Sequence, residues 1–510
     1  NHTMLTKAYA AAVWGIGAEP VEIEVHTVPS EDPRVRVVGL PDTAVKESVD
    51  RVRAALRNTS FRLKPQSVTI NLAPADLRKE GPVYDLPIAL ALLAASETVK
   101  MPLLGQVPVL GELALGGEVR RIRGVLPIVM TLQRRGFHAI MVPEANADEA
   151  ALVEGIEVWP VQSLRQAAGI LSGALQPEPR AARAWLGEGV ETLEDFADVK
   201  GQEAARRAIE VAVSGGHNLL MIGSPGSGKT MLARRIPSIL PPLSAAEALE
   251  VTAIHSVAGT LRGDVISRRP FRSPHHTVSD AGLIGGGAHP TPGEVSLAHR
   301  GVLFLDELPE FHRHVLEVLR QPLEDGSVTI ARTAGTLTFP ADFMLVAAMN
   351  PCPCGFAGDP KRSCRCSEPT IRRYRAKVSG PLLDRIDLHV EVPAVPFDAL
   401  TEHQAGESSA VIRERVLRVR ERQARRYREL PGIRCNADLP AGLLQQFCPM
   451  ESAAALMLRA AMDELALTAR AYSRILRVAR TIADMDASDT LTQAHLFEAI
   501  QYRALDRAEW

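Results

Sequence analysis

The segment Gly223-Ser224-Pro225-Gly226-Ser227-Gly228-Lys229-Thr230 restricts what this chain can fold into more than any other. It fits GxxxxGK[ST] without a mismatch, follows the apolar run Asn218–Ile222 and precedes the helical pattern Met231–Ile236. Such a loop works only between a buried strand and a helix N-terminus. Its backbone amides must wrap phosphates at a range that a Cβ would obstruct, hence the glycines. Lys229 then neutralises the β- and γ-phosphates, and Thr230 offers a hydroxyl to Mg²⁺. Residues Gly223 through Thr230 are therefore the expected nucleotide site, with ATP and Mg²⁺ as cofactors.

Two further apolar strands end in polar residues. Val302-Leu-Phe-Leu-Asp306-Glu307 projects Asp306 toward the metal and leaves Glu307 to polarise an attacking water. Met344-Leu-Val-Ala-Ala-Met-Asn350 ends in an amide, which either holds the water or γ-phosphate or caps a turn before Pro351. Strands this apolar belong to a parallel sheet covered on both faces by helices.

A chain of 510 residues exceeds one core. Residues 4–173 read as an α/β unit, with strands at Val21–Val25, Val35–Val38 and Val68–Leu72 and helices at Thr43–Arg57 and Leu86–Ala95. Residues 174–195, with Pro and Arg and no apolar period, read as a linker. Residues 196–396 carry the phosphate loop, and 397–510 are almost wholly helical. The segment Asn1-His2-Thr3 before Met4 is read as a non-native remnant. The longest apolar run, Leu86 to Ala95, is shorter than the about 18 residues a membrane helix needs. A cytoplasmic protein without a membrane segment is expected. The net charge of −2 means that any nucleic-acid affinity must come from local basic patches.

Pro274-His275-His276, Gly285 to Gly287, Gly293-Glu294 and Gly301 through Phe311 together resemble the magnesium-chelatase-like AAA+ group, most closely its ComM/YifB subfamily. The resemblance runs from Met4 to the C-terminus. It implies an N-terminal Lon-protease-like α/β domain, a central AAA+ P-loop domain with a parallel sheet, and a C-terminal helical lid. It makes Asn350 the sensor-1 residue and Arg385, in Ser379-Gly-Pro-Leu-Leu-Asp-Arg-Ile-Asp387, the arginine finger reaching a neighbouring subunit. Sensor 2 falls on Arg470, with Arg474 one turn on as its competitor; either also reads as a solvated helical arginine. It further implies a homo-hexamer acting on single-stranded or branched DNA, as a helicase or branch-migration motor in recombination and natural transformation. The alternative is a magnesium-chelatase-type motor acting on a partner protein or on metal insertion.

Val328–Arg332 and Thr336–Phe339 read as a hairpin around Thr333-Ala-Gly335 and resemble the pre-sensor-1 hairpin of this clade. Arg332 is then a DNA phosphate contact, or else a solubilising surface residue. Cys352, Cys354, Cys364 and Cys366, four of the six cysteines, suit a structural Zn²⁺, although C-x-C is tighter than the usual spacing and free thiols are the alternative. The loop between and after them is basic (Lys361, Arg362, Arg365, Arg372, Arg373, Arg375, Lys377). Eight arginines between Arg413 and Arg428 form a solvated helix face or an inter-subunit surface. Residues 20–170 resemble the Lon-type domain, but Val83 stands where its serine nucleophile would be, and Arg123-Gly-Val-Leu126 lacks the lysine base, so no peptidase activity is expected.

Overall fold

Alternation along Gly17–Pro29 buries Val21, Ile23, Val25 and Thr27 on one face, as a strand covered on one side requires. The computed structural model describes residues 4–182, 194–395 and 406–503, apart from positions 62, 64, 76, 78, 80, 262–264, 288–289, 333–334, 360 and 466. Within the expected linker and lid, residues 183–193 and 397–405 thus lie outside the described residues, as do Thr333 and Ala334 of the hairpin.

The strand Gly17–Pro29 pairs antiparallel with Met4–Trp14 over that strand's whole length, and on its other side with Gln66–Ala73. Val35–Val38 adds in parallel at the edge. The helix Asp85–Ala95 packs on this sheet and buries every residue but Ala94, which explains an apolar run with no polar face. Its one charge, Asp85, is fully buried. Arg51, from the helix Thr43–Asn58, grips it with two bonds of 2.7 and 3.0 Å, and the Leu113 amide adds a third at 3.2 Å. A parallel pair, Ala139–Pro143 with Glu157–Val161, and the helices Val125–Arg134 and Leu164–Leu171 complete this Lon-like α/β domain. The chain then runs back along it, the Arg180 amide bonding the Val158 carbonyl at 2.8 Å.

The central domain is a five-stranded parallel sheet in the spatial order Phe271–Arg272, Val302–Leu305, Met344–Met349, Leu219–Ile222, Leu388–Glu391. The last four strands are buried throughout, except at Glu391. The C-terminal region is helical among the described residues, led by Ser409–Tyr427, Ser452–Glu464, Ala469–Met485 and Gln493–Gln501.

Arginines of the helix Ser409–Tyr427 fasten it to the central domain, through Arg415 and Arg420, and to the C-terminal helix Ala469–Met485, through Arg426. Arg415 forks onto Glu210 (2.6 and 2.9 Å), Arg420 donates to the Val213 carbonyl (2.7 Å), and Arg426 pairs with the buried Asp484. Arg418, Arg425 and Arg428 remain exposed. The cluster is therefore divided between an internal clamp and a solvated face.

The N-terminal domain docks on the helix Ala245–Ala258 of the central one. Buried Glu149 accepts the Leu126 amide at 3.1 Å and the Ser256 hydroxyl, and Leu126 packs with Leu152 and Ala253. The tip of its first hairpin also reaches the strand Gly335–Pro340: a Cβ on Gly15 would sit 3.6 Å from the Thr338 carbonyl, and Ile16 packs with Leu337 in one cluster. Among the described residues no helix is long and apolar enough to cross a membrane.

Replacing Asp85 by Ala strands the Arg51 guanidinium at the domain core, and removing one partner of a buried pair costs about 3–5 kcal/mol. A matching fall in the urea midpoint of the N-terminal domain is expected; an unchanged midpoint would show that the pair does not support the fold.

Candidate nucleotide site

Parallel pairing aligns the carboxyl ends of three strands, where ligands of such sheets bind. Met349 faces Ile222 in register, and the Gly223 amide bonds the Met349 carbonyl at 3.2 Å. Gly223, Asp306 and Asn350, each the residue after its strand, therefore emerge on one edge. Two glycines of the loop have backbones an L-residue resists, Gly226 at φ +78° and Gly228 at φ +96°. Gly223 has no room for a side chain, since a Cβ would lie 2.2 Å from the Val392 carbonyl.

Lys229 opens the helix Lys229–Arg235 and is buried beneath the loop. Its ammonium donates to the carbonyls of Gly223 (2.7 Å) and Ser224 (3.0 Å) and lies 3.3 Å from Asn350 Oδ1. Burial lowers its pKa, while the carboxylates of Asp306 and Glu307 oppose the shift. Thr230 donates its hydroxyl to Asp306 Oδ2 at 2.6 Å. Hydroxyl and carboxylate thus converge as oxygen donors, a set that fits Mg²⁺ completed by phosphate oxygens and water. Glu307 adopts a left-handed backbone at φ +53°, uncommon for a residue other than glycine. That turn leaves its carboxylate half-exposed, 3.6 Å from His276 Nδ1.

Two contributors to this site went unnoticed in the sequence reading. His276, its ring tilted against His275 with ring centres 4.0 Å apart, faces Glu307; only its place in Pro274-His275-His276 signalled it. Gln202, in a left-handed turn at φ +58°, donates to the carbonyls of Ser227 (3.0 Å) and Pro393 (2.6 Å), bracing the loop from outside. No local pattern marks such a residue.

Arg385, Arg470 and Arg474 lie elsewhere. Asn218 and Asp387 precede the adjacent parallel strands and bond each other, the Asn218 amide to Asp387 Oδ2 at 3.3 Å. Asn218 Nδ2 also donates to the Arg385 carbonyl at 2.8 Å. The four-residue strand Leu219–Ile222 separates Asn218 from Gly223, five residue steps or about 16 Å at about 3.3 Å per step. All three arginines gather at that amino edge, in an open polar cleft of about 570 Å³. Arg470 is exposed and 3.5 Å from Asp384, whereas Arg474 is mostly buried and 4.0 Å from Asp387. Burial opposes the charge of Asp387, yet His217 and then Arg474 hold its carboxyl well below the usual range. Arg385 is partly buried and paired with Glu324.

Arg332 closes the strand Ser327–Arg332 opposite Gly335, and its side chain lies outside the described part of the structure. The four cysteines converge beside the phosphate loop, their sulfurs all within 4.8 Å of one another, with Cys352 buried. In the N-terminal domain, Val83 sits in the short turn Pro82–Tyr84, and the Arg123 side chain lies against Gly259 of the central domain.

Three family profiles match this chain. The profile described as magnesium chelatase, subunit ChlI, covers residues 195–400; that of subunit ChlI of Mg-chelatase, 23–146; and that of the ChlI C-terminal part, 406–503. The chain is 45% identical over 509 residues to the YifB protein of Escherichia coli, spanning 99% of this chain and 98% of that one. It is 44% identical over 510 residues to the competence protein ComM of Haemophilus influenzae, with the same shares of 99% and 98%. A shorter match, 26% over 188 residues, joins it to the Lon protease of Mycolicibacterium smegmatis, covering 35% of this chain and 23% of that protein.

The geometry separates binding from turnover. Glu307→Gln is expected to keep nucleotide affinity and to lose about 10²–10⁴-fold in turnover, the usual worth of a positioned base. Fluorescent-nucleotide titration set beside phosphate release checks this, and a variant with normal turnover would remove Glu307 from the chemistry.

Proposed function

The chain belongs to the ComM/YifB subfamily of magnesium-chelatase-like AAA+ ATPases, and on that premise we propose that it is a ring-forming, ATP-driven DNA motor. One observation carries the reading: the backbone of Arg385 is held by Asn218 at the amino edge of the sheet, whereas the phosphate loop leaves its carboxyl edge, about 16 Å away along the strand. Each subunit thus presents Lys229, Thr230, Asp306, Glu307 and Asn350 on one side, and Arg385 as finger with Arg470 as sensor 2 on another. Contacts of this head-to-tail kind form a ring when the rotation closes, and the family resemblance implies six subunits. Arg470 is exposed, with only a surface contact to Asp384 at 3.5 Å, and so can cross to a neighbour, whereas Arg474 is mostly buried beside Asp387.

DNA as the substrate is supported by kinship to a competence protein and by the hairpin Ser327–Pro340, which directly precedes the Asn350 strand. Movement of that strand with the nucleotide would carry the hairpin, with Arg332 near its tip, along a phosphate backbone. Lys361, Arg362, Arg365, Arg372 and Arg373 form an exposed basic surface on the adjoining segment. Helicase or branch-migration work on recombination intermediates during natural transformation, in the cytoplasm, follows from this assignment. The four cysteines hold a structural zinc ion. A second reading, a magnesium-chelatase-type motor acting on a partner protein or on metal insertion, is favoured by the descriptions of the matching profiles.

ATP turnover measured with no polymer, single-stranded, duplex and branched DNA separates the two. Stimulation by DNA with dissociation of a branched substrate is expected; DNA-insensitive turnover without strand movement would contradict the motor reading. Arg385→Ala is expected to lower turnover by about 10³–10⁵-fold, the worth of an arginine finger, and to leave ATP binding nearly unchanged.

A further inference from the structure

The four-cysteine knot lies directly against the nucleotide loop. Cys352 and Cys354 sulfurs are 3.4 Å apart, and each lies 3.6 Å from Cys364. Those spacings are far longer than a disulfide bond. They are close to the about 3.8 Å edge of a tetrahedron whose Zn–S bonds are about 2.3 Å. Backbone amides already point at the sulfurs: Ala357 N lies 3.3 Å from Cys352 Sγ and Cys366 N lies 3.4 Å from Cys364 Sγ. Amide donors of this kind orient thiolate ligands and stabilise their charge.

Three links join the knot to the ATP site. Gly355, between the second and third ligands, has φ +86°, and a Cβ there would lie 2.4 Å from Pro225 Cδ. The knot backbone therefore rests on the proline of the phosphate loop with no space for a methyl group. Asp359, on the same loop, turns it by accepting the amides of Lys361 (2.8 Å) and Arg362 (3.0 Å), and these amides, with a smaller influence of the Ser224 side chain, lower its carboxyl pKa. Cys352 follows Asn350 by two residues, and Asn350 meets Lys229 at 3.3 Å. Ser224 and Pro225 lie in the half of the phosphate loop that precedes Lys229, away from the helix that fixes the other half.

We propose that the four-cysteine knot, loaded with one zinc ion, is a positioning element of the nucleotide site, holding Ser224 and Pro225 in the shape that receives phosphates. This rests on the zinc assignment above, and it gives the metal a role beyond local folding. Zinc binding closes the nine-residue loop Gly355–Ser363, and the free energy of metal binding becomes order in that loop and in whatever packs on it. A displacement of about 1 Å in a preorganised site costs up to about 100-fold, so loosening this support acts first on nucleotide affinity.

The test uses the full-length chain purified without chelator, read by metal analysis and by equilibrium titration with a fluorescent ADP analogue in Mg²⁺. One zinc per subunit is expected in the parent protein. Cys364→Ser is expected to lose the zinc and to bind nucleotide about 10- to 100-fold more weakly. Asp359→Ala and Gly355→Ala are expected to keep the zinc and still bind nucleotide several-fold more weakly, with KM for ATP rising more than kcat falls. If Gly355→Ala sheds its zinc, Asp359→Ala alone decides the coupling. Normal affinity in a zinc-loaded Asp359→Ala chain and in the zinc-free Cys364→Ser chain would overturn the positioning role and leave the zinc assignment standing. A parent protein that holds no zinc and takes none up on titration would overturn both.

Discussion

Parallel pairing of Leu219–Ile222 with Met344–Met349 on one side and Leu388–Glu391 on the other is the constraint from which the functional geometry follows. Parallel strands share their ends. The carboxyl edge receives Gly223, Asp306 and Asn350, and the amino edge receives Asn218, Asp387 and, through the Asn218 amide, the backbone of Arg385. A single sheet therefore keeps the groups that hold a nucleotide apart from the arginine that would complete the site. Neither lid rotation nor side-chain freedom removes that separation while the strands stay paired. The buried Asp387 reinforces it, since it ties His217 and Arg474 to the amino edge.

The lid and the N-terminal domain are fastened to this sheet by different physics. A charged fork holds the lid, with Arg415 on Glu210, while Arg415 on Glu407 and Arg426 on Asp484 brace the lid within itself. Fork geometry gives these pairs direction as well as attraction. The N-terminal domain docks through one buried carboxylate, Glu149, and a small apolar cluster around Leu126 and Ala253. The helix it touches also carries Glu250, whose carboxyl is held down to about 2 by the bond from His299, against burial, and by Arg300. Arg300 reaches on to Asp342, just ahead of the Asn350 strand. A packed and charged path thus leads from the N-terminal domain to the strand that ends at the nucleotide.

What the sequence disclosed and what it withheld divide by range. The phosphate loop was legible because its constraints are local: glycines, a lysine and a threonine at fixed spacing after an apolar run. Asp306 and Glu307 were legible for the same reason. The strand Val21–Val25 was visible as alternation, but its extension to Gly17–Pro29 depends on eleven paired residues of Met4–Trp14, whose alanine-rich sequence has little period of its own. The arginine helix showed its charge and not its partners, because Glu210 and Asp484 lie 205 and 58 residues from the arginines they bind. The four cysteines announced a cluster. Nothing in their spacing revealed that Gly355 rests on Pro225.

The central claim is that one ATP site is built from two chains. Glu307→Gln and Arg385→Ala chains damage opposite halves of that site, so mixing them creates interfaces with an intact Glu307 from one chain and an intact Arg385 from the other. ATP turnover of the equimolar mixture, measured against each variant alone, is the direct measurement. Recovery of turnover well above the sum of the two separate variants is the expected result. A mixture no more active than its components, under conditions where the chains co-assemble, would contradict a shared site.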